Sequence, residues 1–276
     1  MNALWARTLV LMRENFQLLT ALGGVFILLP TAALSLTLPP SAELQGPATV
    51  LFDPDSSQAA IQRAQAAIFE KMQPFTRWLL VSSTVQLVGY AALTALLGPA
   101  GLTVGQAIGR GAKAIVPLIL ALIVFNVIAF LVLLALLLAL SPLGPTAAGF
   151  IGLIASFMVG LFLAARLSLT LPVMVTHKVW NPLAGLMRSW RLTAGNSRAA
   201  FIFWWLLLVS AGVIYILVSS VAGLAAALAP SEQSGALLSG VIMGCFSLSF
   251  GIVTCAAAAA MLEQLTPRGR KNGPEA

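Results

Sequence analysis

The sequence predicts an all-α integral membrane fold: six transmembrane helices, organised as three repeats of an amphipathic interfacial helix plus a helical hairpin. Three observations carry this. Six apolar stretches are each long enough to cross a bilayer, and the lysines and arginines gather on alternate sides of them. In addition only 8% of the residues are charged while 59% are hydrophobic, at a mean hydropathy of +0.98. A soluble domain carries about 25% charged residues, so water is not the main solvent of this chain.

The expected spans cover residues 18–38, 78–97, 116–140, 149–175, 201–228 and 236–262. Each meets the roughly 20 residues a helix needs to cross ~30 Å of hydrocarbon, and the longer ones call for tilt. Lipid-exposed backbone must satisfy its own hydrogen bonds, and no stretch alternates with the period of two of a membrane barrel. One membrane domain over residues 1–265 is expected, with an outer loop at 39–77 that carries an amphipathic helix, and a disordered cytoplasmic tail at 266–276.

Orientation follows from the basic residues near the spans. Arg7, Arg13, Arg110, Lys113, Lys178, Arg188, Arg191, Arg198, Arg268, Arg270 and Lys271 share one side, whereas Arg63, Lys71 and Arg77 on the other are offset by Glu43, Asp53, Asp55, Glu70 and Glu232. Both termini of this multi-pass membrane protein are therefore expected in the cytoplasm. The net charge of +7 reads as topology and attraction to anionic lipid. It is dispersed over four short segments, which speaks against nucleic acid.

The elements follow in order. In the first segment, Trp5, Leu9, Met12 and Phe16 are expected on one face, with Arg7 and Glu14 elsewhere. The apolar run behind it is longer than the roughly 7 to 15 residues of a signal-peptide core, so it is taken as a span, bent at Pro30. Pro39, Pro40, Pro47 and Pro54 are expected to keep the start of the outer loop extended or turned. Asp55 and Gln58 have capping-box spacing, and the stripe Ile61, Ala64, Ile68 and Met72 predicts a helix ending near Pro74. It would pack on the bundle, lie on the outer leaflet or meet a membrane or periplasmic protein partner.

In the second copy, Thr103 and Gln106 form a capping-box pair. Val104, Ala107, Ile108 and Ile115 then make an apolar stripe opposite Arg110 and Lys113, in a helix weakened by Gly105, Gly109 and Gly111. Pro117 falls near the start of its span, where a missing N–H costs little. The third copy is the most regular. Asn181 suits an N-cap and Pro182 the first helical position; Leu183, Leu186, Met187 and Trp190 make one apolar face, Arg188 and Arg191 the polar flank, and Gly195 with Asn196 the stop. A basic helix of this kind should lie in the membrane interface.

Close helix contact in lipid depends on small residues. Gly152, Ser156, Gly160, Ala164 and Ser168 in the fourth span, and Ala236, Gly240 and Gly244 in the sixth, are expected inside the bundle, with self-association through the same faces as the rival. Cys245 and Cys255, ten positions apart on one helix, would be about 15 Å apart and cannot bridge each other. Gln86 and Asn126 are expected to make interhelical hydrogen bonds.

Catalytic constellations are missing. The single histidine, His177, excludes a two-histidine metal site, and no Asp or Glu lies inside a span, so no proton relay or sodium site is available. Neither a nucleophile motif nor a phosphate loop occurs; no enzyme, metal or cofactor is expected. Arg166, in the apolar run 149–175, could hold a lipid phosphate, but its position lets its head snorkel to the inner headgroup layer, which is the preferred reading. Lys178, Arg188, Arg191, Arg198 and Trp190 are candidate headgroup contacts.

Arg166-Leu-Ser-Leu-Thr-Leu-Pro172, followed by Asn181-Pro-Leu-Ala-Gly-Leu-Met-Arg-Ser-Trp-Arg-Leu-Thr-Ala-Gly-Asn196, resembles the signature of the membrane domain fused to some bacterial glycerophosphoryl diester phosphodiesterases and of its stand-alone, uncharacterised inner-membrane relatives. Ala184, Arg188, Ser189, Trp190, Leu192, Thr193, Gly195 and Asn196 carry it over some thirty residues. The resemblance implies a bacterial inner membrane and a link with phospholipid or envelope upkeep, without phosphodiesterase activity, since the soluble catalytic barrel of the fused members has no counterpart here. A non-enzymatic accessory or scaffold that contacts anionic lipid is the expectation, and a transporter or permease for a small amphiphile or lipid is the alternative.

Overall fold

The computed structural model describes residues 2–39, 41–53, 55–98, 101–140, 142 and 145–266, with the backbone alone described at 41–42, 137 and 145–150. Of the expected tail at 266–276, residues 267–276 lie outside the described residues. All regular structure among them is helical: α1 (Asn2–Glu14), α2 (Phe16–Gly23), a π-helical turn (Gly24–Leu28), α3 (Leu29–Ser35), α4 (Ser41–Phe52), α5 (Gln58–Leu96), α6 (Val104–Leu140), α7 (Pro145–Leu167), α8 (Thr170–His177), α9 (Pro182–Ala194), α10 (Ser197–Ala227) and α11 (Glu232–Leu265). Six stretches are long and apolar enough to cross a membrane: Phe16–Ser35, Gln58–Leu96, Val104–Leu140, Ile151–His177, Ser197–Ala227 and Glu232–Leu265. Large apolar side chains such as Val116, Phe130, Leu153 and Leu217 are exposed, while Thr8, Thr94, Ser189 and Thr193 are buried. So much exposed apolar surface calls for lipid.

The chain forms two compact units. The first comprises the described residues of Met1–Thr20, Val88–Val213 and Gly251–Ala276; the second comprises Ala21–Leu87 and Ile214–Phe250. Their boundaries fall inside long helices, so they are not successive domains along the sequence.

Proline explains several departures from expectation in the second unit. Before Pro30, which cannot donate, the helix widens into the π-helical turn, and the Leu29 amide reaches back to the Gly24 carbonyl; the anticipated bend is this insertion. Residues 41–52 are helical despite Pro47, where an extended or turned segment was expected. Pro47 deprives the Glu43 carbonyl of its usual donor, and Lys71 Nζ donates to that oxygen at 3.0 Å while pairing with the Glu43 carboxylate at 3.3 Å. The cap of α5 is Ser57, whose Oγ accepts from the Ala60 amide at 3.3 Å, because Asp53 rather than Asp55 organises the turn before it. Nor does the helix end near Pro74: α5 runs unbroken for 39 residues. At 1.5 Å per residue it is nearly twice the ~30 Å hydrocarbon thickness, so its polar first half must project beyond the apolar layer.

The second unit is closed by glycine. A Cβ at Gly240 would overlap Ser35 Oγ, and one at Gly244 would lie 3.1 Å from the Leu28 carbonyl oxygen. Ser35 Oγ in turn donates to the Ala236 carbonyl at 2.9 Å. Gln86 Nε2 donates to Thr31 Oγ1 at 3.4 Å and Ser82 Oγ at 3.1 Å, the interhelical bond that was expected.

In the first unit, α1 buries Leu4, Thr8 and Leu11 rather than the Trp5, Leu9, Met12 and Phe16 stripe. Leu9 and Phe16 are exposed, because the arc that turns inward is the one shared by Leu4, Thr8 and Leu11, spaced by four and three. Trp5 lies 4.9 Å from the ring of the buried Phe203, and Arg7 pairs with Glu263 at 2.8 Å. The hydrogen bond and charge of Glu263 raise the Arg7 pKa against a modest desolvation. Thr103 and Gln106 make both bonds of the capping box, at 3.2 and 3.4 Å. From there α6 buries Ala107, Gly111, Ala114, Leu118 and Ala121, and a Cβ at Gly111 would stand 2.9 Å from the Val88 carbonyl oxygen. Pro117 sits well inside α6, not near its start. Asn126 bonds to the Leu122 carbonyl of its own helix, where an interhelical partner was expected.

The fourth-span row behaves differently from that of the sixth. Gly152 is buried, but Ser156, Gly160 and Ser168 are only partly so and Ala164 is exposed; a Cβ at Gly160 would meet open space. The buried side of the C-terminal part of this helix is instead Leu163, Ala165 and Arg166, because α9 packs there with its Ser189 and Thr193 hydroxyls on the Arg166 carbonyl and its Trp190 ring on the guanidinium.

Candidate functional site

The fourth span breaks where Pro172 requires it. Helix α7 stops at Leu167 and α8 restarts at Thr170, with Leu169 as N-cap, so that Pro172 falls in the first turn of α8, where no amide donor is needed. Carbonyls at a helix end are short of donors, and that of Arg166 accepts from Ser189 Oγ at 3.0 Å and Thr193 Oγ1 at 3.1 Å. Both hydroxyls are fully buried on α9. Ser189 and Thr193, four residues apart, present their side chains on one helical face, which gives the Ser-Trp-x-x-Thr part of the motif a structural role: it clamps α9 to the end of α7.

The side chain of Arg166 is the chemically unusual group. It is 8% exposed, and its Nε is buried with no hydrogen-bond partner. Its guanidinium carbon stands 4.1 Å from the Trp190 ring centroid and 6.0 Å from that of Phe162. The guanidinium lies over the Trp190 ring, and Nε is the one of its nitrogens that is both buried and unmet. A cation over an aromatic face gains up to about 2 kcal/mol when desolvated, whereas burying an unpaired ion costs several kcal/mol. The rings alone do not balance the burial. No carboxylate helps: the described acids of this unit are Glu14 and Glu263, and the latter is paired with Arg7.

Helix α9 presents three faces. Asn181 Oδ1 caps it, accepting from the amides of Leu183 and Ala184 at 3.0 and 3.2 Å, with Pro182 in the first turn. The inner face is Gly185, Leu186, Ser189 and Thr193; Gly185 is pressed against Met174, whose Cγ would be 2.7 Å from an added Cβ. Leu183, Met187 and Trp190 make an outer apolar strip, 61%, 54% and 37% exposed. Arg188 and Arg191 are exposed beside it. The sequence reading placed Leu186 on the strip; it turns inward because it shares the arc of Ser189 and Thr193. Gly195 ends the helix in an ordinary right-handed conformation, φ −75°, and the Asn196 carbonyl then accepts from the Ala200 amide at 3.0 Å to start α10.

Two further candidates complete the region. Lys178 closes α8 in the left-handed conformation, φ 55° and ψ 38°, a place usually taken by glycine. Arg198 lies exposed at the start of α10 and lines an apolar groove of about 300 Å³ with Met158, Phe162, Ser197, Phe201 and Ile202. Phe162 thus belongs both to this groove and to the surroundings of Arg166. The signature had put Arg166, Ser189 and Thr193 in one motif without indicating that they touch, and nothing in the sequence connected Phe162 with Arg166. Among the described residues no three His, Cys, Asp or Glu side chains cluster as metal ligands.

The chain matches no family model, no curated protein and no solved structure. The likeness carried by residues 166–196 rests on those residues alone.

Proposed function

We propose that this is a non-enzymatic accessory or scaffold protein of the bacterial inner membrane, tied to phospholipid or envelope maintenance, whose cytoplasmic side holds anionic lipid. The observation that carries the reading is α9: an apolar strip left exposed beside Arg188 and Arg191, on a helix clamped by buried hydroxyls. Such a helix inserts its strip at the headgroup boundary while its arginines meet lipid phosphates. Arg7, Arg13, Arg110, Lys113, Lys178 and Arg198 belong to the same unit, which supports placing these basic ends and both termini on the cytoplasmic side. The proposed first and third copies of the repeat are alike in that the Asn15 and Asn196 carbonyls each start the helix after an amphipathic segment, accepting from Leu19 and Ala200. In the second copy the corresponding segment is continuous with α6.

The direct test is the Arg188→Gln/Arg191→Gln double variant in vesicles containing labelled phosphatidylglycerol. Each basic residue near the surface contributes about 1 kcal/mol toward anionic lipid, so enrichment around the protein should fall several-fold; unchanged enrichment refutes the headgroup role. A reporter fused after Ala276 should be active only in the cytoplasm, and a periplasmic signal refutes the orientation.

The alternative, a permease for a small amphiphile or lipid, requires a polar passage. Asn126 lines an apolar groove on α6 with Ile119, Leu122, Ile123, Val127 and Phe130, and Gln86 is committed to Thr31 and Ser82. These arrangements favour the accessory reading.

A further inference from the structure

We infer that Arg166, stacked on Trp190, seats a phosphodiester oxygen of one anionic phospholipid, whose acyl chain occupies the groove beside Phe162. The inference rests on the lipid-facing reading above but turns on Arg166, which that reading does not use, and predicts one resident lipid in place of a diffuse layer. Three features point to it. Arg166 is more than nine-tenths buried, with Nε unmet, and none of its side-chain donors bonds to a described residue. The guanidinium lies over the Trp190 ring, and an arginine stacked this way keeps the N–H groups of its edge for two oxygens of one phosphate, which lysine cannot offer. The groove reached through Phe162 is walled by Met158, Phe201 and Ile202, with Ser197 and the cationic Arg198 also lining it, and no acid among them. Its volume of about 300 Å³ suits part of an acyl chain, and its charge suits a net-anionic headgroup over a zwitterionic one.

The shared chemistry, an oxyanion of phosphorus, could also come from free phosphate, so three probes are compared on the full chain in mild detergent. Phosphatidylglycerol supplies phosphate and chains, diacylglycerol chains alone, and inorganic phosphate the anion alone. Native mass spectrometry should show one retained phosphatidylglycerol per chain, bound at least about tenfold more tightly than either partial probe. Arg166→Met should weaken it about tenfold or more and Arg166→Lys by an intermediate factor, while Arg188→Gln/Arg191→Gln should change it less than about threefold. Phosphatidylglycerol retention unaffected by Arg166→Met overturns the site. Diacylglycerol binding as well as phosphatidylglycerol reduces it to an apolar groove, and inorganic phosphate binding as well makes it a free-anion site; either result overturns the proposal. Should Arg166→Met fail to fold, the three-probe comparison on the unaltered protein and Trp190→Leu, expected to lose several-fold in affinity, decide. Loss with Arg166→Met but unchanged bulk enrichment in the Arg188→Gln/Arg191→Gln protein would leave the resident lipid standing and sink the surface reading; the reverse would do the opposite.

Discussion

Both units contain close glycine contacts, at Gly111 and Gly185 in the first and at Gly240 and Gly244 in the second, but the first adds a larger set of buried polar groups. Gly240 and Gly244 let α11 lie against Ser35, Ala32 and Leu28 at backbone distance. In the first unit α9 is held in addition by Ser189 and Thr193 on the Arg166 carbonyl. Thr8, Thr94, Arg166, Thr170, Ser189 and Thr193 are buried there, against Ser82 alone in the second unit among the described residues. Glycine contact is complete once backbones touch and leaves no group unsatisfied. Polar contact in lipid brings donors and acceptors inside, and where their numbers do not match, as at Arg166 Nε and Thr170 Oγ1, a donor remains for something other than protein. Of the two modes, only the second creates the chemistry of a binding site.

The comparison can be broken most forcefully at Gly240. Gly240→Val should cost about 3 kcal/mol of stability, the upper end for overpacking, seen as an early unfolding midpoint in detergent. Gly160→Ala should be neutral or slightly stabilising, because its Cβ meets open space and alanine favours helix by roughly 0.8–1 kcal/mol. Equal losses at both positions would erase the distinction. Thr193→Val, nearly isosteric, should cost about 1–2 kcal/mol by stripping a buried carbonyl of one donor, and combination with Ser189→Ala should be non-additive, since both serve the same oxygen. Lys178→Gly should raise stability by about 1 kcal/mol as it relieves the left-handed backbone, and any fall in lipid enrichment in that variant reports the lost charge. The smallest effect is expected from Arg7→Gln. Its ion pair is partly exposed, and such pairs contribute about 0.2–1 kcal/mol. A base whose pKa is raised on folding gives stability that is present below its unfolded value and lost only above its folded one. The contribution of Arg7 charge should therefore be flat from about pH 6 to about pH 9, checked by melting the wild type and the variant side by side.

Local signals were legible where they concerned the backbone of a single segment. Asn181 with Pro182 and the Thr103–Gln106 box start their helices as read, because a cap is satisfied within four residues. Apolar run length likewise indicated six helices long enough to cross a membrane, though α5 and α6 begin well before their expected spans. The faces of those helices were less legible. Periodicity put Trp5, Leu9, Met12 and Phe16 together, yet α1 buries Leu4, Thr8 and Leu11, since in lipid apolarity does not say which side is inside. Prolines misled for a related reason: Pro47 and Pro74 sit inside helices, and the donor that rescues the Glu43 carbonyl, Lys71, comes from another helix and is invisible in a local reading.

By itself the sequence determined the solvent, the number of long apolar helices and where several of them begin, because hydropathy and caps act over short stretches of chain. Tertiary structure alone decided that Arg166 is held against Trp190 and Phe162, that Ser189 and Thr193 turn inward and that Gly160 does not pack. Each depends on which atoms of a distant segment come within a few ångströms, and in an apolar medium that choice is made by shape and unmet hydrogen bonds, quantities that no residue carries on its own.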